Sequence, residues 1–477
     1  MNHKHLLLIL FLIPSLLSCG GTTRVKQAAS LIDQHPCLIA NRDAICGYLP
    51  VYENPALQSG RVINLNVAVI KASSANPAPD PVFFLAGGPG EAATESTGNI
   101  EFLHRMFGGQ RDIILIDQRG TGGSHKVLAP PGPDFSGLSG EELDAQLAEW
   151  IGQVLDELDM DPRYYTTSVA MDDLDAVRQA LGYKKINLYG GSYGATAAQY
   201  YLRQYEDRVR TVVLVGGSLL DVPLFELEAK HAQRTLDLIF DQCGADARCR
   251  LAFPDLRAEF AAVLARLGQT PVEVTVDNGT VILTRDFFAA KVEWITRDSR
   301  RIASLPLWIH QAYAEDNWTA FAEAGFHDFG PAVMTYSIRC SEKWAAFDPG
   351  EVSKQASNSY LAGWSIGQAQ RYAPVCKYLP HGETPEGLSP QPPSQKPVLL
   401  FNGEWDILDP PRSVSAAKEL WQNSLSLTIP WQSHEISDTT TALCMGAIIK
   451  KFVEVASIDG LDTTCLQKIS PPIFKTR

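Results

Sequence analysis

The stretch Lys185-Ile186-Asn187-Leu188-Tyr189-Gly190-Gly191-Ser192-Tyr193-Gly194 decides how this chain is read. An apolar run that breaks into Gly-x-Ser-x-Gly predicts a strand turning sharply into a helix, with Ser192 on the turn. Glycines on either side let the backbone take a strained conformation and leave the serine hydroxyl exposed above the sheet. The same residues also suit an ordinary turn, so the motif alone does not make Ser192 a nucleophile. Its surroundings must supply the rest.

Residues 81–85 (PVFFL) and 113–117 (IILID) are short apolar runs that stop at glycine-rich loops, Ala86-Gly87-Gly88-Pro89-Gly90 and Gln118-Arg119-Gly120-Thr121-Gly122-Gly123-Ser124. Both read as buried parallel strands. Residues 60–72 alternate apolar and polar as a half-buried strand does, and residues 209–215 (VRTVVLV) give another buried strand. Residues 141–159 predict a surface helix, and Ser168 is expected to cap a second one that Gly182 ends. Strand and helix alternate, so the expected class is α/β, with a mostly parallel sheet and right-handed crossovers. Residues 219–395 change texture: amphipathic stretches and five of the nine tryptophans predict an inserted, mainly helical cap, closed by the Pro- and Ser-rich link at 384–397. The strand pattern resumes at 398–401 and 424–429, so residues 37–218 and 396–477 are read as two parts of one core.

With 45% hydrophobic and 20% charged residues, the 477-residue chain has the composition of a globular protein. The balance of 41 basic against 54 acidic residues gives a net charge of −13, which disfavours nucleic acid as a partner. Residues 1–18 combine a polar, basic start with an apolar run too short to span a bilayer comfortably and read as a signal peptide. The run ends in Leu16-Leu17-Ser18-Cys19-Gly20, which resembles a bacterial lipobox. That likeness implies lipidation of Cys19, a tether over residues 19–36 and a membrane-anchored protein of the cell envelope, on the periplasmic or outer-membrane side. Eight further cysteines fit an oxidising compartment. Sequence proximity suggests the pairs Cys37–Cys46, Cys243–Cys249, Cys340–Cys376 and Cys444–Cys465, although eight cysteines allow many connectivities. No tight CxxC pairs with matching histidines and no HExxH motif stand in the chain, so neither a metal nor another cofactor is expected.

A serine hydroxyl needs an imidazole to take its proton and a carboxylate to orient that imidazole. In an elbow-type site the chain order is Ser, acid, His. Asp406 follows one strand and His434 the next strand-like run, which places both at the carboxyl edge shared with Ser192. Asp409 and Asp438 are rival acids. The oxyanion of a tetrahedral intermediate also needs backbone N–H donors: Tyr193, directly after the nucleophile, supplies one, and Gly88 in the first glycine loop is the candidate for the other.

VFFLAGGPG, DQRGTGGS, INLYGGSYG, FNGEWDILDPP and the late His434 resemble, in order and spacing, the α/β-hydrolase serine peptidases that include prolyl aminopeptidases and secreted tripeptidyl aminopeptidases. The resemblance spans roughly residues 46–465 and implies Ser192 as nucleophile, Asp406 as orienting acid, His434 as general base and a helical cap. It also implies an acidic cap residue that holds the free amino end of a peptide substrate, for which Glu342 is the candidate. Ala86 replaces the histidine usual before the glycine pair in prolyl aminopeptidases, which moves the likeness toward the tripeptidyl branch. A carboxylesterase on the same fold and a catalytically silent binding protein are the alternative readings.

Overall fold

The computed structural model describes residues 30–57, 59–127, 140–223, 225–277, 279–325, 332–344, 347–383 and 393–477. The expected signal peptide, Cys19 and most of the Pro- and Ser-rich link lie outside them. The first part of the chain forms β1 (Ile32–Ile39), β2 (Arg42–Tyr52), β3 (Val62–Ile70), β4 (Val82–Leu85), α1 (Thr97–Phe107) and β5 (Ile113–Ile116). After these come α2 (Gly140–Glu157), α3 (Thr167–Ala180), β6 (Ile186–Gly191), α4 (Tyr193–Gln204) and β7 (Val209–Val215). Beyond the insertion stand β10 (Val398–Gly403) and β11 (Ser424–Ile429); the labels β8 and β9 belong to the hairpin Val272–Val276 and Gly279–Leu283 inside it.

Nine of these strands make one sheet in the order β1-β2-β3-β5-β4-β6-β7-β10-β11. Pairing is antiparallel from β1 to β5 and parallel from β5 to β11. Every residue of β4 and β10 is buried, as expected of parallel strands covered on both faces. Each large apolar side chain so buried contributes about 1.5–3 kcal/mol relative to exposure. Such strands point their carboxyl ends, and the loops that follow, toward one edge.

The sheet begins inside the stretch expected to be a tether. β1 starts at Ile32, and the turn to β2 passes through Ala40 and Asn41 with φ of 49° and 58°. An edge strand whose side chains are mostly exposed carries no apolar alternation, so residues 32–36 lacked the usual strand signal. The disulfide Cys37–Cys46 ties this edge to β2, and the other three bridges join Cys243–Cys249, Cys340–Cys376 and Cys444–Cys465. Thr166, rather than Ser168, caps α3, accepting from the Val169 N–H at 3.3 Å. Arg119, from the second glycine loop, is wholly buried and makes a bidentate ion pair with Asp173 of α3 at 2.7 and 2.8 Å.

Between β7 and β10 the chain builds a second, largely separate apolar cluster around Phe240, Phe260, Phe288 and Phe321. Helices Glu228–Ala245, Leu256–Gln269, Arg285–Thr296 and Leu305–Ala314 supply most of it, while Trp405 and Ile407 enter it from the loop after β10. The acid-bearing loop is therefore packed into the insertion as well as into the sheet.

Candidate active site

β6 delivers Ser192 to the carboxyl edge of the sheet. Its φ of 53° with ψ of −125° is a conformation that a residue with a Cβ rarely adopts, so the turn depends on its neighbours to hold it. A Cβ on Gly190 would collide with the carbonyl of Gly194, and one on Gly194 with the carbonyl of Leu85, so both motif glycines are required by close packing. The Ser192 N–H donates to the Val215 carbonyl at 2.9 Å, which fixes the turn to β7. Tyr193 opens α4, and N–H groups in the first turn of a helix have no intrahelical acceptor.

Three side chains converge here. Ser192 Oγ stands 3.0 Å from His434 Nε2, and His434 Nδ1 stands 3.1 and 3.2 Å from the Asp406 carboxylate oxygens. An ionised carboxylate only accepts, so Nδ1 carries a proton, and in the neutral imidazole Nε2 is left as the acceptor for the serine hydroxyl. Asp406 Oδ1 also accepts from the backbone N–H groups of Leu408 and Asp409, both at 2.9 Å. Asp409, the rival acid, lies one step back: its Oδ2 is 3.8 Å from Nδ1, while Ser218 Oγ donates to its Oδ1. Asp438, the other rival, caps the helix Thr439–Val455 through the Thr441 N–H at 2.7 Å.

Burial opposes charge on all three members of the His434–Asp406–Asp409 group. For His434 the two carboxylates outweigh it and hold the imidazole up at about 9, with Arg297 pulling the other way. For Asp406 the imidazole and the two backbone donors win, and its carboxyl lies below the usual range. For Asp409, burial and the Asp406 charge dominate and push it up to about 6.

A family profile describing the alpha/beta hydrolase fold matches residues 80–439. The chain belongs to that family. This hydrolase-fold chain is 25% identical to the serine protease Hip1 of Mycobacterium tuberculosis over 268 residues, half of each chain. It is 29% identical to the proline iminopeptidase of Neisseria gonorrhoeae over 143 residues, 30% of this chain and 34% of that one. The chain thus spans about half or less of the length of these relatives. A crystal structure of the proline iminopeptidase of Mycobacterium smegmatis overlays 86% of this chain and 98% of its own at 15% identity and a TM-score of 0.40.

In this hydrolase, Ser192 and His434 open into a cavity of about 1120 Å³. Gly87 and Gly88 line it from the first glycine loop, and Trp294, Arg297 and Arg301 line it from the insertion. A methyl group placed on Gly87 would lie 3.1 Å from Glu91 Oε2 and 3.5 Å from Ser192 Cβ. Glu91 Oε2 therefore stands no more than about two van der Waals contacts from Ser192 Cβ.

Glu342 is not among the residues lining this cavity. Its carboxylate accepts from the Thr167 N–H at 2.6 Å and from Thr167 Oγ1 at 2.9 Å. Thr167 Oγ1 in turn lies 2.7 Å from the Tyr193 hydroxyl. Burial pushes Glu342 up to about 7, against the hydrogen bonds from Thr167 and Tyr200. Its carboxylate ties the helix Ala332–Glu342 to α3. The sequence reading missed Glu91, Trp294, Arg297, Arg301 and Glu435. Glu435 was within reach as the neighbour of His434, whereas the insertion residues carry no local signal and meet the site only through tertiary packing.

Proposed function

We propose that the chain is an exported serine peptidase that removes amino-terminal residues from short peptides through an acyl-serine intermediate. The observation that carries this reading is the unbroken relay from Ser192 Oγ through His434 to Asp406, at 3.0 and 3.1 Å. His434 Nε2 takes the hydroxyl proton as Oγ bonds to the scissile carbonyl carbon. The developing oxyanion is met by the Tyr193 N–H and by the glycine loop, with Gly88 as the second donor. His434 then returns the proton to the departing amine as the C–N bond breaks. Water repeats the sequence on the acyl-serine and releases the acid.

The names of two relatives, serine protease and proline iminopeptidase, support a peptide substrate over a simple ester. Glu91, rather than Glu342, is the carboxylate we assign to the substrate's ammonium. An amine one residue from the attacked carbonyl would fall near it, and each further residue would move the amine about 3.3–3.6 Å away. Export and lipidation at Cys19 belong to the same proposal and are supported by the lipobox-like sequence and the four disulfides.

The test is an assay of the purified protein and its Ser192→Ala variant on aminoacyl and tripeptidyl amides, amino-blocked versions of both, and simple esters. Turnover of free-amine amides that is lost in the variant is the expected result. Hydrolysis of esters alone would replace the peptidase reading with an esterase, and no turnover of either would favour a binding protein.

A further inference from the structure

The wall of the cavity beyond His434 carries two arginines, set beside the acidic Glu435 and Asp438, in a chain whose net charge is −13. Arg297 and Arg301 both line it and flank one ring, their guanidinium carbons 5.2 and 4.6 Å from the Trp294 centroid. Arg297 Nε is paired with Glu293 Oε1 at 2.7 Å, and Arg301 with Glu435 Oε2 at 2.7 Å and, more loosely, with Asp298 Oδ2 at 3.8 Å. Stacking and ion pairing hold two long side chains in fixed conformations, so little rotamer freedom remains to be lost when a ligand binds. A guanidinium carries five N–H donors and can serve a further acceptor besides its ion-pair partner.

The position of this wall relative to the chemistry is also fixed. The Glu435 N–H, one residue past His434, donates to the Arg297 carbonyl at 2.7 Å. The Arg297 charge reaches the imidazole and lowers its proton affinity. In the acyl-transfer sequence His434 protonates the departing amine, so the leaving fragment must lie on the His434 side of Ser192. It therefore passes along the arginine wall, while the acyl fragment faces the glycine loop and Glu91.

We propose that Arg297 and Arg301 recognise a carboxylate on the leaving fragment, making the preferred substrates short peptides that carry a negative charge close to the scissile bond. This rests on the peptidase reading above. The carboxylate is either the free carboxyl end of a one- or two-residue leaving fragment or an Asp or Glu side chain in its first position. Glu435, whose side chain is 41% exposed beside Arg301, competes with it.

The experiment compares kcat/KM for a dipeptide with a free carboxyl end, the same dipeptide as its amide, and an amide with Asp in the second position. The free acid is expected to exceed the plain amide about tenfold, the effect of one favourable charged contact of about 1.4 kcal/mol. Arg297→Gln and Arg301→Gln should each pull that ratio toward one, mainly through KM. Arg297→Lys should restore part of it, and Glu435→Gln should raise it. Recovery by the Asp amide shows that a carboxylate is read wherever it stands; recovery by the free acid alone assigns the chain end. A wild-type ratio near one for both carboxylates, or a ratio unchanged in both arginine variants, overturns the proposal. The same preference can be read without peptide turnover, as competitive inhibition of ester hydrolysis by a free amino acid against its amide. Loss of the peptidase reading and loss of this one are thereby told apart.

Discussion

The sheet and the insertion contribute to one cleft by different means. Ser192, Asp406 and His434 each follow a strand whose direction is set by parallel pairing, so three residues far apart in sequence arrive at one edge. Trp294, Arg297 and Arg301 arrive because the helix Arg285–Thr296 and the short turn after it are packed over that edge by an apolar cluster of their own. The sheet supplies groups that move protons, and the insertion supplies groups that choose what is held beside them. Substitutions in the first region are expected to act on kcat, and those in the second on the ratio between substrates.

The largest effect should separate the two carboxylates that face His434. Asp406→Asn is expected to lower kcat by about 10⁴-fold, because the imidazole loses the acceptor that fixes its tautomer. Asp409→Asn, at 3.8 Å and without a hydrogen bond to the ring, should cost tenfold or less. Its signature is a pH profile. Catalysis needs neutral imidazole, so kcat/KM of the wild type should climb with rising pH toward the His434 value of about 9. Removing the Asp409 charge should move that limb to lower pH. Equal losses in the two variants would erase the distinction drawn between these acids.

A smaller effect should appear in stability without any in chemistry. Arg119 is wholly buried against Asp173, and Arg119→Met leaves that carboxylate without its bidentate partner. A loss of about 3–5 kcal/mol in urea unfolding is expected, since removing one member of a buried pair strands the other. An unchanged midpoint would show that the second glycine loop does not brace α3.

The smallest concerns the tie between insertion and core. Burial raises the Glu342 carboxyl from its ordinary value to about 7, so the folded protein holds that proton more tightly than the unfolded chain does. Stability contributed at low pH is therefore lost as pH rises from about 4.5 to about 7. Glu342→Gln should remove that dependence, and its melting temperature should fall less than that of the wild type between pH 5 and 7.5. Parallel curves would mean that Glu342 is already ionised throughout.

The parts that were legible in the sequence share a physical reason. Buried parallel strands are short apolar runs with abrupt glycine-rich ends, and the elbow, the first glycine loop and Asp406 stand at such ends, whereas His434 follows the half-exposed edge strand β11 and was legible from its place in the chain order. Asp406 could be preferred over Asp409 because it lies nearer the end of β10, and its two backbone donors now account for that preference. Three features were illegible. The exposed edge strand β1 gave no alternation, and the run Thr166-Thr167-Ser168 offered three hydroxyls for one cap. The arginine wall depends on two helical turns lying over a strand edge more than a hundred residues away, which no periodicity records. Glu342 was named for its acidity and its place in the insertion, but its carboxylate is turned to Thr167.

One pair of contacts gives the insertion a part in timing as well as in choice. Ser433 Oγ donates to the Thr296 carbonyl at 2.5 Å, and the Glu435 N–H donates to the Arg297 carbonyl at 2.7 Å, so the residues on both sides of His434 are fastened to the roof of the cleft. A roof fastened to the proton carrier cannot lift away without pulling the imidazole off the serine. Substrate must then enter through the mouth of the cavity while the relay stays assembled, and a substitution that loosens either fastening is expected to disarm the nucleophile.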